Sequence, residues 1–402
     1  MQNISNVSSF RLVRIKASTL AIFLFLLFST VLRYVEVFDV NLYFVAALSV
    51  LLVCFTKFNV LAGEILFFFL MSLYLLVGNI FLDFKLGATL LIASNFMVYF
   101  VARNLVEFYG AEVFVRVLVS LSIVHVAVAV IQFIFRSEML LPSHYFESQR
   151  DLGEAAIELA IMKPSGLSLL ASQFHLDVSF LIAYFLARNY KVISMCLVLA
   201  LSIINLGKIF LAIVLCTIFL RKYIVQLRTL IVLILVVLLV FIQYPLLVMQ
   251  FGSTPESVST WTERIMIARS AILLYETSPW LGIGLDQFKS AATTYDLSQY
   301  GFPVRTDAHN IYVKAIVELG VVGLVSMALV VGQCVRKLGG SCKISYFTRI
   351  SAILVLVQSG YHNYQFYNEI PLLLGLVTAY VRMTEVKNNL SKEAQSSSGI
   401  WT

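Results

Sequence analysis

The segment RTDAHNIYVKAIVELG, residues 305–320, sets an arginine, an aspartate, a histidine and an asparagine directly before an apolar run. An imidazole with an unperturbed pKa near ~6.5 can take a proton from a hydroxyl group at neutral pH, so His309 is a candidate general base. Asp307 and Asn310 flank it and can fix the orientation of its ring; the competing reading is that either one caps the helix that begins here. Inside the run, Lys314 and Glu318 are four residues apart and are expected to form a structural ion pair. A second cationic stretch, WTERIMIARSAILLYETSP, spans residues 261–279. Trp261, Ile265, Ala268, Ile272 and Tyr275 recur at helical spacing as an apolar stripe, with Arg264 and Arg269 on its two flanks. A planar guanidinium binds phosphate oxygens through paired hydrogen bonds and stays charged. The alternative is that both arginines lie at the level of lipid headgroups on an interfacial helix. Pro279 ends this helix, and LGIG at 281–284 makes a loop.

The elements that carry these residues are written in the composition. The chain has 402 residues, of which 60% are hydrophobic and 13% charged, and its mean hydropathy is +0.90. An average soluble domain is about a quarter charged, so the sequence predicts an all-α polytopic membrane protein. Apolar runs fall near 17–33, 41–55, 60–81, 86–102, 112–135, 169–187, 192–206, 209–220, 229–249, 311–334, 347–362 and 369–383. At ~20 residues per crossing these amount to about twelve transmembrane helices. With the N-terminus inside, Lys57, Arg103, Arg188, Lys191, Arg221, Lys222, Arg228, Arg336, Lys337, Lys343 and Arg382 fall in inside loops, as the excess of positive charge on cytoplasmic loops requires. Arg11, Arg14 and Lys16 precede an uncleaved first span, and both termini are placed in the cytoplasm. Residues 1–384 then form one transmembrane domain and 385–402 a flexible cytoplasmic tail. Two outside loops, about 136–168 and 250–310, exceed the usual length of a simple connection. The longer one carries the arginine stretch and leads into His309.

Other polar groups compete for attention. His175, between Gln173 and Asp177, and His362, before Asn363, are further candidate bases ranked below His309. Glu64, Arg116 and His125 fall inside apolar runs and read as intramembrane pairing or packing. Lys163 faces the outside surface and Lys208 an outside hairpin tip, whereas Arg150 and Asp151 read as solvated loop residues. The net charge of +7 is distributed as short clusters between spans, which argues against nucleic-acid binding. The five cysteines, Cys54, Cys196, Cys216, Cys334 and Cys342, form neither a disulfide framework nor a zinc pattern. No Walker-type phosphate loop and no metal-ligand spacing occur, so neither ATP hydrolysis nor a metal or other cofactor is expected.

Four motifs in this order resemble the O-antigen ligase/polymerase family of bacterial envelope glycosyltransferases. They are KPSGLSLLASQFHLDVSF with Lys163; NLGKIFLAIV, with Lys208 where the family has arginine; RIMIARSAILLYETSPWLGIG, led by Arg264; and the span led by His309 and Asn310 with Glu318 and Gly320 further on. The motif-level resemblance covers roughly residues 160–335. It implies a GT-C-like, metal-independent inverting transferase in the bacterial inner membrane. The donor would be an undecaprenyl-diphosphate-linked oligosaccharide used on the periplasmic face, and the large periplasmic loop would carry short amphipathic helices. Arg264, with Arg269, Arg305, Lys208 and Lys163, would hold the diphosphate. His309 would act on the acceptor, supported by Asp307, Asn310 and Glu318. A polymerase would extend another lipid-linked repeat unit and work beside a chain-length regulator protein; a ligase would transfer the glycan to lipid A-core. A rival of another class is a lipid-linked oligosaccharide flippase. A further rival is a transferase whose base is Glu36 or Asp39 in the first outside loop.

Overall fold

A bilayer offers no hydrogen-bond partners to the backbone, so apolar runs of this length must satisfy their amides internally, as helices. The structure is a computed structural model. It describes residues 19–31, 36–37, 40–41, 59–81, 86–136, 171–204, 214–215, 217–218, 267, 270–285, 287–288, 290–291, 312–323, 325, 342–359 and 369–398. Its helices are α1 (19–26, continued by a π-helical turn at Leu27–Val31), α2 (Ala62–Phe81), α3 (Leu86–Tyr109), α4 (Ala111–Phe135), α5 (Ala171–Ala187) and α6 (Lys191–Ile204). They are followed by α7 (270–277), α8 (312–323), α9 (Lys343–Ser359) and α10 (Glu369–Ser398). The described residues are thus almost wholly helical. Their only strands are a short antiparallel pair between Glu36–Val37 and Val40–Asn41, in the first expected outside loop.

Among the described residues, α4 is the one helix both long and apolar enough to count as a membrane span by itself, with 25 residues and a mean hydropathy of 2.5. The expected total of twelve is therefore not established. The expected runs at 41–55 and 229–249 lie outside the described residues, as does most of 209–220.

The main core is built from α3, α4, α5, α9 and α10, with α1 against its edge. α5 packs between α4 and α9, and α10 runs along α3. The α3–α10 contact is close because Gly375 has no side chain. A Cβ there would stand 2.7 Å from the Tyr99 carbonyl oxygen and 2.9 Å from the Arg103 amide nitrogen. Small residues let helix backbones approach in this way inside membranes. Buried hydroxyls find acceptors one turn back: Thr30, Ser122, Ser179 and Thr348 donate to the carbonyls of Leu26, Leu118, His175 and Ile344 at 2.7–3.1 Å. Between helices, Gln358 Nε2 donates to Ser179 Oγ at 2.6 Å, and His125 Nε2 lies 3.6 Å from Asp177 Oδ2.

Three expectations are corrected here. Arg103, assigned to an inside loop, is a fully buried residue of α3, because that helix runs on to Tyr109 and the corner to α4 is Gly110 alone, at φ 96°. Arg116, expected to be buried, is 63% exposed and pairs with Glu112 at 2.7 Å, one turn back on the same helix. Residues up to Ser398, expected to be flexible, continue α10. Extending an existing helix costs far less than nucleating one, so the polar sequence after the last apolar run propagates the helix already formed.

Arg103 is the centre of a four-residue charge network. Its Nε lies 2.6 Å from Glu64 Oε1 on α2 and its Nη1 3.0 Å from Glu107 Oε2. Glu107 in turn receives Arg382 of α10 at 3.2 Å on both oxygens. Tyr99 donates to Glu64 at 3.0 Å, and Arg103 Nη2 donates to the Asn59 carbonyl. Two positive and two negative groups balance, which allows Arg103 and Glu64 to be buried while Arg382 stays partly exposed. Arg103→Leu leaves two carboxylates facing one arginine, and loss of one member of such a buried set costs about 3–5 kcal/mol. The expected result is a clear fall in the melting temperature of the purified chain; an unchanged melting temperature would show that the network adds nothing to stability.

Candidate functional site

The site is assembled around three glycines. Gly282, Gly284 and Gly320 have φ of 76°, 107° and 61°, values that residues with a Cβ rarely adopt. At Ser278 and Pro279 the α7 helix has ended, as proline disfavours helical conformation in the residue before it. The chain then turns back through Trp280, Leu281 and Gly282 and lies directly on α8. A Cβ at Gly282 would stand 2.3 Å from the Glu318 carbonyl carbon and oxygen. One at Gly320 would stand 2.4 Å from the Trp280 carbonyl oxygen and 2.7 Å from the Gly282 nitrogen.

The contact is a backbone interlock. A regular helix would pair the Val317 carbonyl with the Val321 amide, and the Glu318 carbonyl with the Val322 amide. Here all four groups have partners in the turn. Ile283 N donates to Val317 O at 3.0 Å and Gly284 N to Glu318 O at 3.1 Å. Val321 N donates to Pro279 O at 2.9 Å and Val322 N to Trp280 O at 3.4 Å. The left-handed residue Gly320 opens α8 at the point where the turn enters.

Side chains complete the joint. Ile267, Ala271, Leu274, Phe288 and Val317 form a second buried cluster, with Tyr275, Ile283, Ala291 and Val313 packed against it. Of the expected apolar stripe, Tyr275 packs against this cluster and Ile272 is 60% exposed, while Trp261, Ile265 and Ala268 lie outside the described residues. The run SAILLY is apolar on nearly every side, so periodicity alone left its inward face open; packing on α8 selects the row Ile267, Ala271 and Leu274. Lys314 and Glu318 form the expected ion pair, Nζ to Oε1 3.6 Å, with both side chains 1% exposed. Glu318 Oε1 also accepts from the Phe288 amide at 3.1 Å, where residues 288, 290 and 291 are helical. A carboxylate at a helix N-terminus is favourable. Glu318 thereby holds the chain at Gly284 and again at Phe288. Glu318→Gln removes the charge facing the buried Lys314 and is expected to lower stability by about 3 kcal/mol. Adding Lys314→Met should restore much of that loss in thermal melts if the pair is structural.

Two tyrosines outside this joint reach it or its helix. Tyr74 Oη of α2 donates to Leu281 O at 3.1 Å, and Tyr312 Oη of α8 donates to Leu356 O of α9 at 2.6 Å. Neither stands out in the sequence. A lone tyrosine in an apolar run carries no signal of where its hydroxyl will find an acceptor.

Of the residues assigned to the site from sequence, Glu318 lies among those described. Arg264, Arg269, Arg305, Asp307, His309, Asn310, Lys163 and Lys208 lie outside the described residues, as does the competing His362. His175, the other competing histidine, is buried in α5. Described residues follow each of the two principal candidates closely in the chain. Ile267, three positions after Arg264, and Val313, four after His309, belong to the same packed cluster. Among the described residues, no group of three or more His, Cys, Asp or Glu is placed to share a metal ion.

Residues 190–328 match the family model described as O-antigen ligase. None of the curated proteins matches the chain. The matched segment contains α6, α7, the glycine turn and α8, together with the positions of Lys208, Arg264, Arg269, Arg305, Asp307, His309, Asn310 and Glu318. Over this segment the chain is similar to the O-antigen ligase family, which supports a membrane protein of O-antigen or lipopolysaccharide assembly.

Proposed function

We propose that the protein is an O-antigen or related surface-polysaccharide polymerase. It transfers a glycan from undecaprenyl diphosphate to the terminal sugar of a second lipid-linked repeat unit, on the periplasmic face of the inner membrane. The observation that carries this reading is the interlock of the glycine turn with α8. It joins the helix that follows Arg264 in the chain to the helix that follows His309, which supports giving the anion-binding and proton-accepting roles to these two residues.

In the proposed step, Arg264, aided by Arg269, Arg305, Lys208 and Lys163, binds the donor diphosphate. The acceptor hydroxyl oxygen bonds to the anomeric carbon while the bond from that carbon to the phosphate oxygen breaks. The leaving undecaprenyl diphosphate takes the electron pair, and His309 takes the hydroxyl proton. Asp307 or Asn310 sets the ring position of His309. Attack from the face opposite the leaving group inverts the anomeric configuration. A diphosphate is already a good leaving group, so fixed positive charge and alignment supply most of what the reaction needs. No metal is assigned a role.

The test is reconstitution of the full chain in liposomes with a synthetic undecaprenyl-diphosphate oligosaccharide. Chains of increasing length with inverted linkages, together with released undecaprenyl diphosphate, are expected. Bond formation that requires added lipid A-core would assign ligase activity instead, which is the second reading. Translocation of the donor with no glycosidic bond formed would overturn both in favour of a flippase.

A further inference from the structure

We propose that Tyr74 and Tyr312 are positioning residues for the transfer reaction, acting by fastening the α7–α8 unit to the main bundle; this rests on the functional reading above. The packed side chains of that unit form a hydrophobic cluster separate from the main core. A unit held by its own cluster still needs a fixed relation to the helices around it if substrates are to meet at one place. The two phenol hydroxyls provide it through directional bonds to backbone carbonyls.

Tyr312 lies three residues after His309. Its acceptor is the Leu356 carbonyl of α9. The bond ties the start of α8 to the α5–α9 layer. Tyr74 acts at the other end of the unit. The Leu281 carbonyl that it reaches lies in the middle of the glycine turn, between residues whose backbone groups are committed to α8. α2 is itself anchored ten residues earlier, or about 15 Å along its axis, where Glu64 joins Arg103. The turn after α7 is thus referred to the α3–α10 core, and α8 to α9. Tyr74 is outside the matched domain, so the domain depends on an element that precedes it in the chain.

The experiment compares Tyr74→Phe and Tyr312→Phe with Tyr99→Phe in the reconstituted full chain. Tyr99 donates to Glu64 and has no link to the α7–α8 unit among its described contacts, so it serves as a control of the same chemistry. Loss of each positioning hydroxyl is expected to lower kcat about five- to tenfold, the size of one lost hydrogen bond. KM for the donor and the melting temperature should stay close to wild type. Tyr99→Phe is expected to retain wild-type kcat. Equal losses in all three variants, or losses that track the melting temperature, would overturn the proposal in favour of a general packing role. Amide exchange gives a readout independent of activity: Gly282, Ile283 and Gly284 should exchange faster in Tyr74→Phe, and unchanged exchange there would overturn the Tyr74 anchor. If wild type forms no glycosidic bond, the functional reading fails, while the exchange result still decides whether the anchor exists.

Discussion

Gly320→Ala is expected to reduce chain formation at least about a hundredfold. The backbone at Gly320 has φ 61°, and a left-handed conformation costs a residue with a Cβ roughly 1–2 kcal/mol. The larger penalty is steric. The new methyl group would stand 2.4 Å from the Trp280 carbonyl oxygen, 2.5 Å from its carbon and 2.7 Å from the Gly282 nitrogen. These are backbone atoms, which cannot rotate aside as a side chain would. Either the turn lifts off α8 and the bonds from Val321 and Val322 stretch, or α8 straightens and expels the turn. A displacement of about 1 Å between catalytic groups can cost on the order of a hundredfold in rate. The measurement is polymer synthesis at matched protein level, alongside protease sensitivity of the glycine turn. Gly63→Ala is the control: it lies in α2, where a Cβ would meet nothing within 4 Å, and should be neutral or slightly stabilising. Full activity in Gly320→Ala would mean that the interlock is not required for catalysis.

The second large effect concerns the two residues on which the proposed chemistry depends. A general base contributes roughly 10²–10⁴-fold, and a preorganised group stabilising developing negative charge about 10²–10³-fold. His309→Ala and Arg264→Ala are each expected to abolish polysaccharide ladders in a deletion strain complemented at normal protein levels. Arg264→Lys should recover a minor part of the activity, because lysine keeps the charge and loses the bidentate fork. Neither substitution should alter the melting temperature as Arg103→Leu does. Wild-type ladders from both alanine variants would remove the assignment, and retained anomeric configuration would exclude direct displacement.

Sequence patterns located the helices well where the apolar runs were long and bounded. α2 and α5 fall within two residues of the expected runs at 60–81 and 169–187, and the start of α10 coincides with the expected residue. Depth was legible only where polarity follows position, and Arg103 shows why it fails: an arginine at the end of an apolar run reads as a loop residue unless its carboxylate partners are known. One of those partners, Glu64, comes from another helix 39 residues earlier in the chain. The glycine motifs were visible as motifs, but their pairing was hidden, because the bonds between 279–284 and 317–322 involve main-chain atoms that are the same in every residue. The inward face of α7 was ambiguous for a different reason, since a helix that is apolar all round has no phase to read.

That joint has a consequence for how such enzymes can diversify. Four amides and four carbonyls do not register which side chains surround them, so the exposed Trp280 and Leu281 can be exchanged while the glycines hold the mechanical frame. Evolution can thus vary the side chains around the joint and leave the hinge-pin of the machine untouched.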